Sequence, residues 1–382
     1  MATEQRIRIG VVGLGLIAQA VHLPNLQTLR DRFVVTHVCD LSRTLAEAIA
    51  ADLPGPARIS TDWRSVCDDP DVDAVLVMTP GAHGPQALGA SQAGKHVLSE
   101  KPLSATIREA REIEATARAA GRVLQVGYMK MYDPAVAPGR EALATLGDRR
   151  VVRVTVLHPA NAPQFAHVAL RRRSDVDHSV IAADAAYEAA RADEALPGAT
   201  GPLRSLYLRT MLGSVCHELS LMRALAIPLP RRFAFGRAWP FDRDVMLEDP
   251  SSIHGVADLG DGSLLELTWA WLPGFPDYAE ELAVFGPAGR IRLAMPGPYL
   301  PAHRARLQVE LFDGEVRRDT TYRAGYTTAF VRELEAFADS VADGAPVLSG
   351  AAGAAADIAV LQELTAAIGR DLGVDVGTEA VA

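Results

Sequence analysis

The stretch GVVGLGLIAQAVHLP, residues 10–24, places a glycine-rich turn between an apolar run and a helical pattern. Its Gly13-Leu14-Gly15-Leu16-Ile17-Ala18 segment has the spacing G-x-G-x-x-A. Gly13 permits a tight turn, Gly15 lets a pyrophosphate approach the backbone, and Ala18 lets a helix pack closely on a strand. Free N–H groups and the dipole at the start of that helix attract phosphates. The turn therefore predicts a dinucleotide site. Its predicted contacts are Gly13, Leu14, Gly15, Leu16 and Ile17.

An acidic residue ends the next strand-like run, FVVTHVCD at 33–40. The carboxylate of Asp40 can accept both hydroxyls of an adenosine ribose and would repel a 2′-phosphate, which favours NAD. Arg43 is a cation three residues later that could meet such a phosphate, so NADP stays an alternative. A glycine turn in a doubly wound domain without a cofactor is the other interpretation.

The first 127 residues alternate short Val/Ile/Leu runs with helical patterns. Continuous apolar runs separated by helices are typical of a parallel sheet that is covered on both faces. The helical patterns include 42–53 and 105–121. The sequence therefore predicts an N-terminal Rossmann domain over residues 1–127. Its strand-like runs are 7–13, 33–40, 72–80, 95–100 and 122–128.

A second domain is predicted over residues 128–382, where the pattern changes. Strand-like runs follow each other there with turn signals such as LGDGS and GPAGR, which favours an open, mostly antiparallel sheet. Two closing helices are predicted at 327–344 and 351–373, and residues 160–205 form an irregular, partly Ala-rich insertion. The predicted fold class is α/β, with a Rossmann domain followed by an α+β domain.

Composition and charge restrict the classes of protein that fit. The 382 residues suffice for about two domains, and the net charge of −9 predicts neither a nucleic-acid partner nor an anionic membrane partner. The N-terminus lacks the regions of a secretory signal, and no apolar run reaches the roughly 18 residues of a membrane span. The three cysteines have neither disulfide nor zinc spacing, so we expect no metal site and a cytoplasmic location.

The segment AGKHVLSEKPLS, residues 93–104, holds Glu100-Lys101-Pro102 at the carboxyl end of a predicted strand. Ligands of open parallel sheets bind at that edge. Pro102 biases Lys101 toward extended backbone. The lysine can act as a point charge on a substrate hydroxyl or share a proton relay with Glu100. A surface lysine without a function is the alternative.

The glycine turn, VMTP at 77–80, AGKHVLSEKPLS and VGYMKMYDP at 126–134 resemble, in order and spacing, the glucose–fructose oxidoreductase and inositol dehydrogenase family (Gfo/Idh/MocA). The resemblance covers nearly the whole chain and is weakest at 160–205. It implies an NAD(P)-dependent oxidoreductase that transfers hydride between nicotinamide and a CH–OH/C=O carbon of a sugar, cyclitol or sugar derivative. It also implies a C-terminal sheet that covers the nicotinamide and often forms a dimer contact, hence a homo-oligomer, as a dimer or tetramer.

A single histidine lies in the predicted helix MLGSVCHELSLMRAL at 211–225. The family carries D-x-x-x-H on such a helix, and that histidine usually gives or takes the proton of the substrate hydroxyl. The resemblance places His217 on this histidine and Gly213 where the aspartate is expected. An imidazole suits the role because its unperturbed pKa of about 6.5 lies near neutrality.

A helical wheel tests His217 without the resemblance. At about 100° per residue, His217 points away from an apolar stripe and lies among small residues, which favours a catalytic or substrate-binding role over a packed or exposed histidine. The stripe is Leu208, Met211, Leu212, Val215, Leu219 and Met222. Three interpretations of the missing aspartate stay open. A residue from 160–205 orients the ring, or Lys101, Tyr128 or Tyr207 carries the proton, or the protein binds without turnover.

The resemblance thus implies a set of site residues, with Lys101 and His217 as the catalytic pair. The expected cofactor contacts beyond the glycine turn are Asp40, Arg43, Thr79, Pro80, His83, Glu100 and Lys101. The expected substrate contacts are Lys101, Tyr128, Lys130 and His217. Two alternatives to a polyol or sugar dehydrogenase remain. One is a reductase of a sugar nucleotide or glycoside, and the other is a catalytically silent, cofactor-bound sensor or scaffold.

Overall fold

A computed structural model of the chain describes residues 6–172, 175–239, 250–300 and 303–379. The chain forms two compact units. The first contains the chain up to Tyr128 together with Val168–Arg191 and Phe330–Ala355. The second contains Met129–His167, Ala192–Ala329 and the chain from Ala356 onward.

The strands follow one another in two groups along the chain. They are β1 Ile7–Val12, β2 Phe33–Cys39, β3 Arg58–Ser60, β4 Ala74–Val77, β5 His96–Ser99, β6 Leu124–Val126, β7 Val151–His158, β8 Phe233–Trp239, β9 Ser252–Asp258, β10 Leu264–Trp271, β11 Ala279–Gly286, β12 Gly289–Met295, β13 Arg306–Phe312 and β14 Arg317–Arg323.

The helices alternate with the first group of strands and flank the second. They are α1 Leu23–Thr28, α2 Arg43–Asp52, α3 Arg64–Cys67, α4 Gly84–Gln92, α5 Ile107–Ala119, α6 Val136–Leu146, α7 Asn161–Gln164, α8 His178–Ala195, α9 Gly201–Ser205, α10 Cys216–Ala224, α11 Ala329–Asp343 and α12 Ala351–Asp371. Two π-helical segments, Ala18–His22 and Leu206–Val215, lead directly into α1 and α10, and Met129–Tyr132 is a 3₁₀ turn.

The first unit contains a parallel sheet in the order β3-β2-β1-β4-β5-β6. This order reverses between β1 and β4, and in such sheets ligands bind outside the carboxyl ends of the strands at that point. Helix α11 belongs to this unit because Leu334 and Phe337 pack into the same buried cluster as Ile9, Leu76 and Leu98.

The second unit contains a mixed sheet in the order β14-β13-β12-β11-β7-β10-β9-β8. Its neighbours pair antiparallel except for β7 and β10, which pair in parallel. Alternate side chains of β7, at Val152, Val154 and Val156, are buried, as expected for one face of a strand. Together the two sheets confirm the predicted fold class, a Rossmann fold and a separate, mostly antiparallel sheet.

The predicted insertion 160–205 is divided between the two units at His167/Val168 and Arg191/Ala192. Its Ala-rich part forms α8, and residues 173 and 174 lie outside the described residues. The compact first unit therefore includes two segments that the predicted boundary at residue 127 assigned to the second domain. The boundary itself stays a prediction.

Helix α12 has the length and composition of a membrane span, but 72% of its most apolar stretch is buried inside the protein. A helix of this kind is also what the core of a globular protein contains. The burial identifies α12 as a packed helix of the fold.

Candidate active site

The glycine turn lies at the carboxyl end of β1. Gly13 has φ +90°, and a Cβ there would come within 2.7 Å of the backbone of Met78 and Thr79, so only glycine fits. Gly15 is exposed and faces open space, with nothing within 4 Å of a Cβ. The helix begins directly afterwards, because the Gln19 N–H donates to the Gly15 carbonyl at 3.1 Å. The turn thus presents a bare, glycine-lined surface at the start of a helix.

Asp40 holds the glycine turn against β2. One carboxylate oxygen accepts from the Leu14 N–H and the other accepts from the Ser42 N–H, both at 2.8 Å. Arg43 is exposed and pairs with Glu47 of its own helix at 3.0 Å. Asp40 therefore lies beside the turn as the sequence predicted, while the Arg43 guanidinium is engaged along α2.

Glu100 and Lys101 follow β5 at the same edge of the sheet. Glu100 is buried; one oxygen lies 2.9 Å from His22 Nε2, and the other accepts from the Lys101 N–H at 3.1 Å. Burial alone would raise the pKa of Glu100, but the hydrogen bond and charge of His22 and the Lys101 cation hold that pKa below its ordinary value. An ionised carboxylate therefore lies beneath Lys101, whose own side chain is half-buried.

His22 is a contact that the sequence reasoning missed. It lies in the π-helical segment that follows the glycine turn, its ring is fully buried, and it carries the hydrogen bond to Glu100. The signal was present, because a histidine in the otherwise apolar AVHLP pattern needs a polar partner when buried.

The loop after β4 contains three predicted cofactor contacts, Thr79, Pro80 and His83. His83 is buried, with Nδ1 2.7 Å from the Pro102 carbonyl and Nε2 2.7 Å from the Thr79 carbonyl. Burial lowers its pKa, and a neutral imidazole can donate to only one of these carbonyls. Both ring nitrogens thus face backbone, so His83 ties this loop to the loop of Lys101.

The hydroxyl of Thr79 is the polar group in this loop that has no partner within the described residues, although it is buried. Pro80, the next residue, is exposed. Buried hydroxyls are normally hydrogen-bonded. A ligand at the carboxyl ends of β1 and β4 would satisfy this one.

Lys130 belongs to the second unit, where it is enclosed by acidic groups. Its ammonium donates to Glu218 at 2.9 Å and to Glu280 at 2.5 Å, and Tyr278 donates to the same Glu280 oxygen at 2.5 Å. Burial would lower the pKa of Lys130, but the two carboxylates raise it above its ordinary value. Burial raises the pKa of Glu218 to about 7, and Lys130 opposes this rise. Lys130 is thus a buried cation, and its two carboxylates were not predicted.

His217 lies at the start of α10 and is half-buried. Glu218, beside it, points into the Lys130 cluster, as expected for adjacent helical residues that do not face each other. A Cβ at Gly213 would meet nothing within 4 Å, so the position of the expected aspartate is open space. The preceding segment is π-helical, which changes the angular step that the wheel assumed. Four of the six stripe residues lie in that segment, which is why the uniform wheel is only approximate here.

Aromatic rings form a group on one face of the second sheet. Trp269 and Trp271 are stacked with their centroids 6.2 Å apart, and His158 lies 5.2 Å from Trp269 and 5.6 Å from Tyr278. The Trp269 indole N–H donates to the hydroxyl of Ser214 at 2.9 Å. The rings are thereby joined to the π-helical segment that leads into α10, the helix of His217. Tyr128, the remaining predicted substrate contact, is buried and lies two residues after strand β6 of the first unit.

Residues 7–128 match the sequence profile of Gfo/Idh/MocA, which is described as an oxidoreductase family with an NAD-binding Rossmann fold. The first unit thus contains a stretch that is similar to Gfo/Idh/MocA proteins. The cofactor class of a Gfo/Idh/MocA domain is a nicotinamide dinucleotide, in agreement with the glycine turn. The matched residues include the turn, Asp40 and the Glu100-Lys101-Pro102 motif.

The chain is similar to enzymes that are named as inositol dehydrogenases. It is 32% identical over 165 residues to an inositol 2-dehydrogenase/D-chiro-inositol 3-dehydrogenase of Lacticaseibacillus casei, over 42% of this chain and 47% of that protein. It is 33% identical over 141 residues to a scyllo-inositol 2-dehydrogenase (NAD(+)) of Bacillus subtilis strain 168, over 37% of this chain and 41% of that protein. The matches thus span less than half of each relative.

A solved structure shares the fold over nearly the full length. The aldose-aldose oxidoreductase from Caulobacter crescentus, complexed with glycerol, aligns with a TM-score of 0.72 at 18% identity and covers 98% of this chain and 100% of that one. At this identity the likeness concerns the fold. The shared fold includes the second unit as well as the first.

Proposed function

We propose that the protein is an NAD(P)-dependent dehydrogenase or reductase that transfers hydride between nicotinamide and a CH–OH/C=O carbon of a sugar, cyclitol or sugar derivative. The observation that carries the proposal is the Glu100–Lys101 pair. It lies at the same edge of the first sheet as the glycine turn, and a buried carboxylate supports the cation there. The inositol dehydrogenases among the relatives support the substrate class.

The residues present fit a dinucleotide. Gly15 leaves open surface at the start of a helix, where a pyrophosphate could bind. Asp40, beside the turn, is the carboxylate that would bind the adenosine ribose. The Thr79 hydroxyl lacks a protein partner within the described residues. The nicotinamide supplies hydride acceptance or donation when bound. For the adenosine end we propose NAD over NADP, because Asp40 is acidic and Arg43 is paired with Glu47.

Lys101 is the proposed electrophile. Its ammonium would polarise the substrate oxygen, and the Glu100 carboxylate beneath it, fixed by His22, would keep the cation in place. The predicted contacts Pro80 and His83 belong to the same proposed site. For His83 the two carbonyl contacts favour a positioning role, holding the Thr79 loop against Pro102.

His217 is the proposed acid/base for the substrate hydroxyl, because the resemblance to the family places it at the position of the family histidine. Lys130 is proposed to position the Glu218 segment beside His217, because its ammonium is already bound by two carboxylates. Tyr128 remains a proposed substrate contact.

The proposal also includes a homo-oligomer, a small-molecule substrate and a cytoplasmic location. The three cysteines are buried and not disulfide-bonded, which suits a reducing compartment. A catalytically silent sensor is the second candidate. Gly213 favours it, because the carboxylate expected to orient the histidine is missing.

The test is hydride transfer itself. Purified protein is mixed with NAD⁺ or NADP⁺ and a panel of inositols, aldoses and alditols, and in reverse with NADH or NADPH and keto-sugars, while absorbance near 340 nm is followed. We expect turnover with at least one cyclic polyol. Bound nicotinamide that never changes redox state with any of them would instead identify a sensor.

Lys101→Ala gives the second test. We expect turnover to fall about 10²- to 10⁴-fold while NADH binding stays close to that of the parent. Lys101→Met, which keeps side-chain bulk without the charge, should behave like Lys101→Ala. Parental turnover in either variant would show that Lys101 is not the electrophile.

A further inference from the structure

The inserted segment Val168–Arg191 belongs to the first unit. Its described residues contact that unit beside the proposed adenosine site. Its backbone at Arg171 exchanges two hydrogen bonds with the Gln19 side chain, at 2.9 and 3.1 Å. The Arg171 guanidinium binds Asp52 of α2 at 2.5 Å. The segment is therefore attached both to the helix after the glycine turn and to the helix after β2.

The far end of the segment is attached to the same domain. Glu188 accepts from the Ala82 N–H at 3.1 Å, and Tyr187 donates to Glu109. Ala82 belongs to the loop after β4 that contains Thr79 and His83. Both ends of the segment are thus attached to the first unit, one near the glycine turn and the other at the loop after β4.

Asp175 is the residue of the segment that reaches the start of α2. One carboxylate oxygen accepts from the Ser42 hydroxyl, and the other accepts from the Thr44 N–H at 3.2 Å. Ser42 also accepts from the Leu45 N–H at 3.1 Å as the N-cap of the helix. The hydrogen bonds from Ser42 and Thr44 lower the pKa of Asp175 to about 2, so this carboxylate is charged at neutral pH.

Ser42 joins two carboxylates. Its N–H donates to Asp40 at 2.8 Å and its hydroxyl donates to Asp175. A 2′-phosphate on an adenosine ribose that is held at Asp40 needs donors or a cation at this place. Here an anion, supplied by the insertion, already takes the donors of the α2 N-terminus.

We propose that Asp175 is a specificity-determining residue that excludes the 2′-phosphate of NADP and so commits the protein to NAD. The inference rests on the proposed function, since it presumes that a nicotinamide dinucleotide binds at this edge. Asp175 lies 135 positions after Asp40 in the chain. Its negative charge would add to that of Asp40 in repelling the 2′-phosphate.

The test compares cofactor binding and does not require turnover. NADH and NADPH are titrated into the full-length parent, Asp175→Asn and Asp177→Asn, with nicotinamide fluorescence as the signal. Asp177 is the matched control, because it lies on the same segment and its carboxylate binds the Ser179 N–H at the start of α8. We expect the ratio Kd(NADPH)/Kd(NADH) to fall about tenfold in Asp175→Asn and to stay at the parental value in Asp177→Asn.

Further measurements separate charge from shape. Asp175→Glu should keep the parental preference, and the effect of Asp175→Asn should shrink at 0.5 M salt because exposed charges are screened. Equal ratios in Asp175→Asn and the parent would overturn the inference alone. A parent that binds neither nucleotide would overturn the proposed function, and the inference with it.

Discussion

At the scale of single residues, Gly213 is the clearest departure from the family pattern. Its position lies four residues before His217, and a side chain there would enter open space. A Cβ therefore has room at the position where the resemblance implies an aspartate. The neighbouring Glu218 does not replace it, because its carboxylate binds Lys130.

Gly213→Asp should place a carboxylate about one helical turn before His217. A nearby carboxylate favours the charged form of an imidazole, so the acidic limb of kcat/KM in the oxidative direction should move to higher pH by about one unit. The measurement is the pH–rate profile. Gly213→Asn, of the same shape without charge, should leave the limb in place.

His217→Ala completes this series. Turnover should fall, and its pH dependence should flatten, because the titrating acid/base is gone. Coincident profiles for Gly213→Asp and Gly213→Asn, or parental turnover of His217→Ala at all pH values, would remove His217 from the mechanism.

Lys130→Met probes the buried charges of the second unit. The substitution leaves Glu218 and Glu280 without their cation, and breaking a buried ion pair in this way costs about 3–5 kcal/mol. Urea unfolding should show this loss. Adding Glu218→Gln and Glu280→Gln should recover much of it, whereas an unchanged midpoint in Lys130→Met would show that the cation is dispensable.

At the scale of elements, the two glycines of the β1–α1 turn have different roles. Gly13 is required by the backbone conformation, and Gly15 leaves space for a ligand. Gly13 needs its positive φ and its close approach to Met78 and Thr79, while Gly15 has an ordinary environment and free space. Gly13→Ala should therefore cost about 1–3 kcal/mol of folding stability. Thermal and urea unfolding measure this loss.

Gly15→Ala is the matched substitution. Its Cβ meets no protein atom, so stability should stay near that of the parent, while NADH binding should weaken because the methyl group occupies the pyrophosphate surface. Equal NADH affinity in Gly15→Ala and the parent would contradict the predicted cofactor contact.

Strands were predictable where their pattern is strong. The runs 7–13, 33–40 and 72–80 contain β1, β2 and β4, because each is rich in valine and other apolar residues. Strand β3, Arg58–Ser60, was missed because its three residues carry no such pattern. The π-helical segment Leu206–Val215 was also missed, because side-chain periodicity does not report an inserted residue in the hydrogen-bond ladder.

At the scale of the whole molecule, buried carboxyl groups predict how stability depends on pH. Burial raises the pKa of Glu218 to about 7 and that of Asp357 to about 6, above the values of 4.5 and 3.8 in an unfolded chain. Such groups bind protons more tightly when folded, so they stabilise the fold at low pH, and this contribution is lost as pH rises.

The unfolding temperature should accordingly decrease as pH rises from about 4.5 to about 7, measured by calorimetry. Glu218→Gln cannot ionise and still offers Lys130 an acceptor, so its profile should be flatter over this range. A parental slope in Glu218→Gln would assign the pH dependence to other groups.

The sequence by itself determined the fold class and predicted the cofactor edge of the first unit. Both follow from local patterns, since a glycine turn, an acidic strand end and a lysine before proline each depend on neighbours along the chain. Only the tertiary structure decided the rest. It placed His22 under Glu100, enclosed Lys130 between Glu218 and Glu280, and brought Asp175 to Ser42. These partners are far apart along the chain, and packing rather than periodicity brings them together.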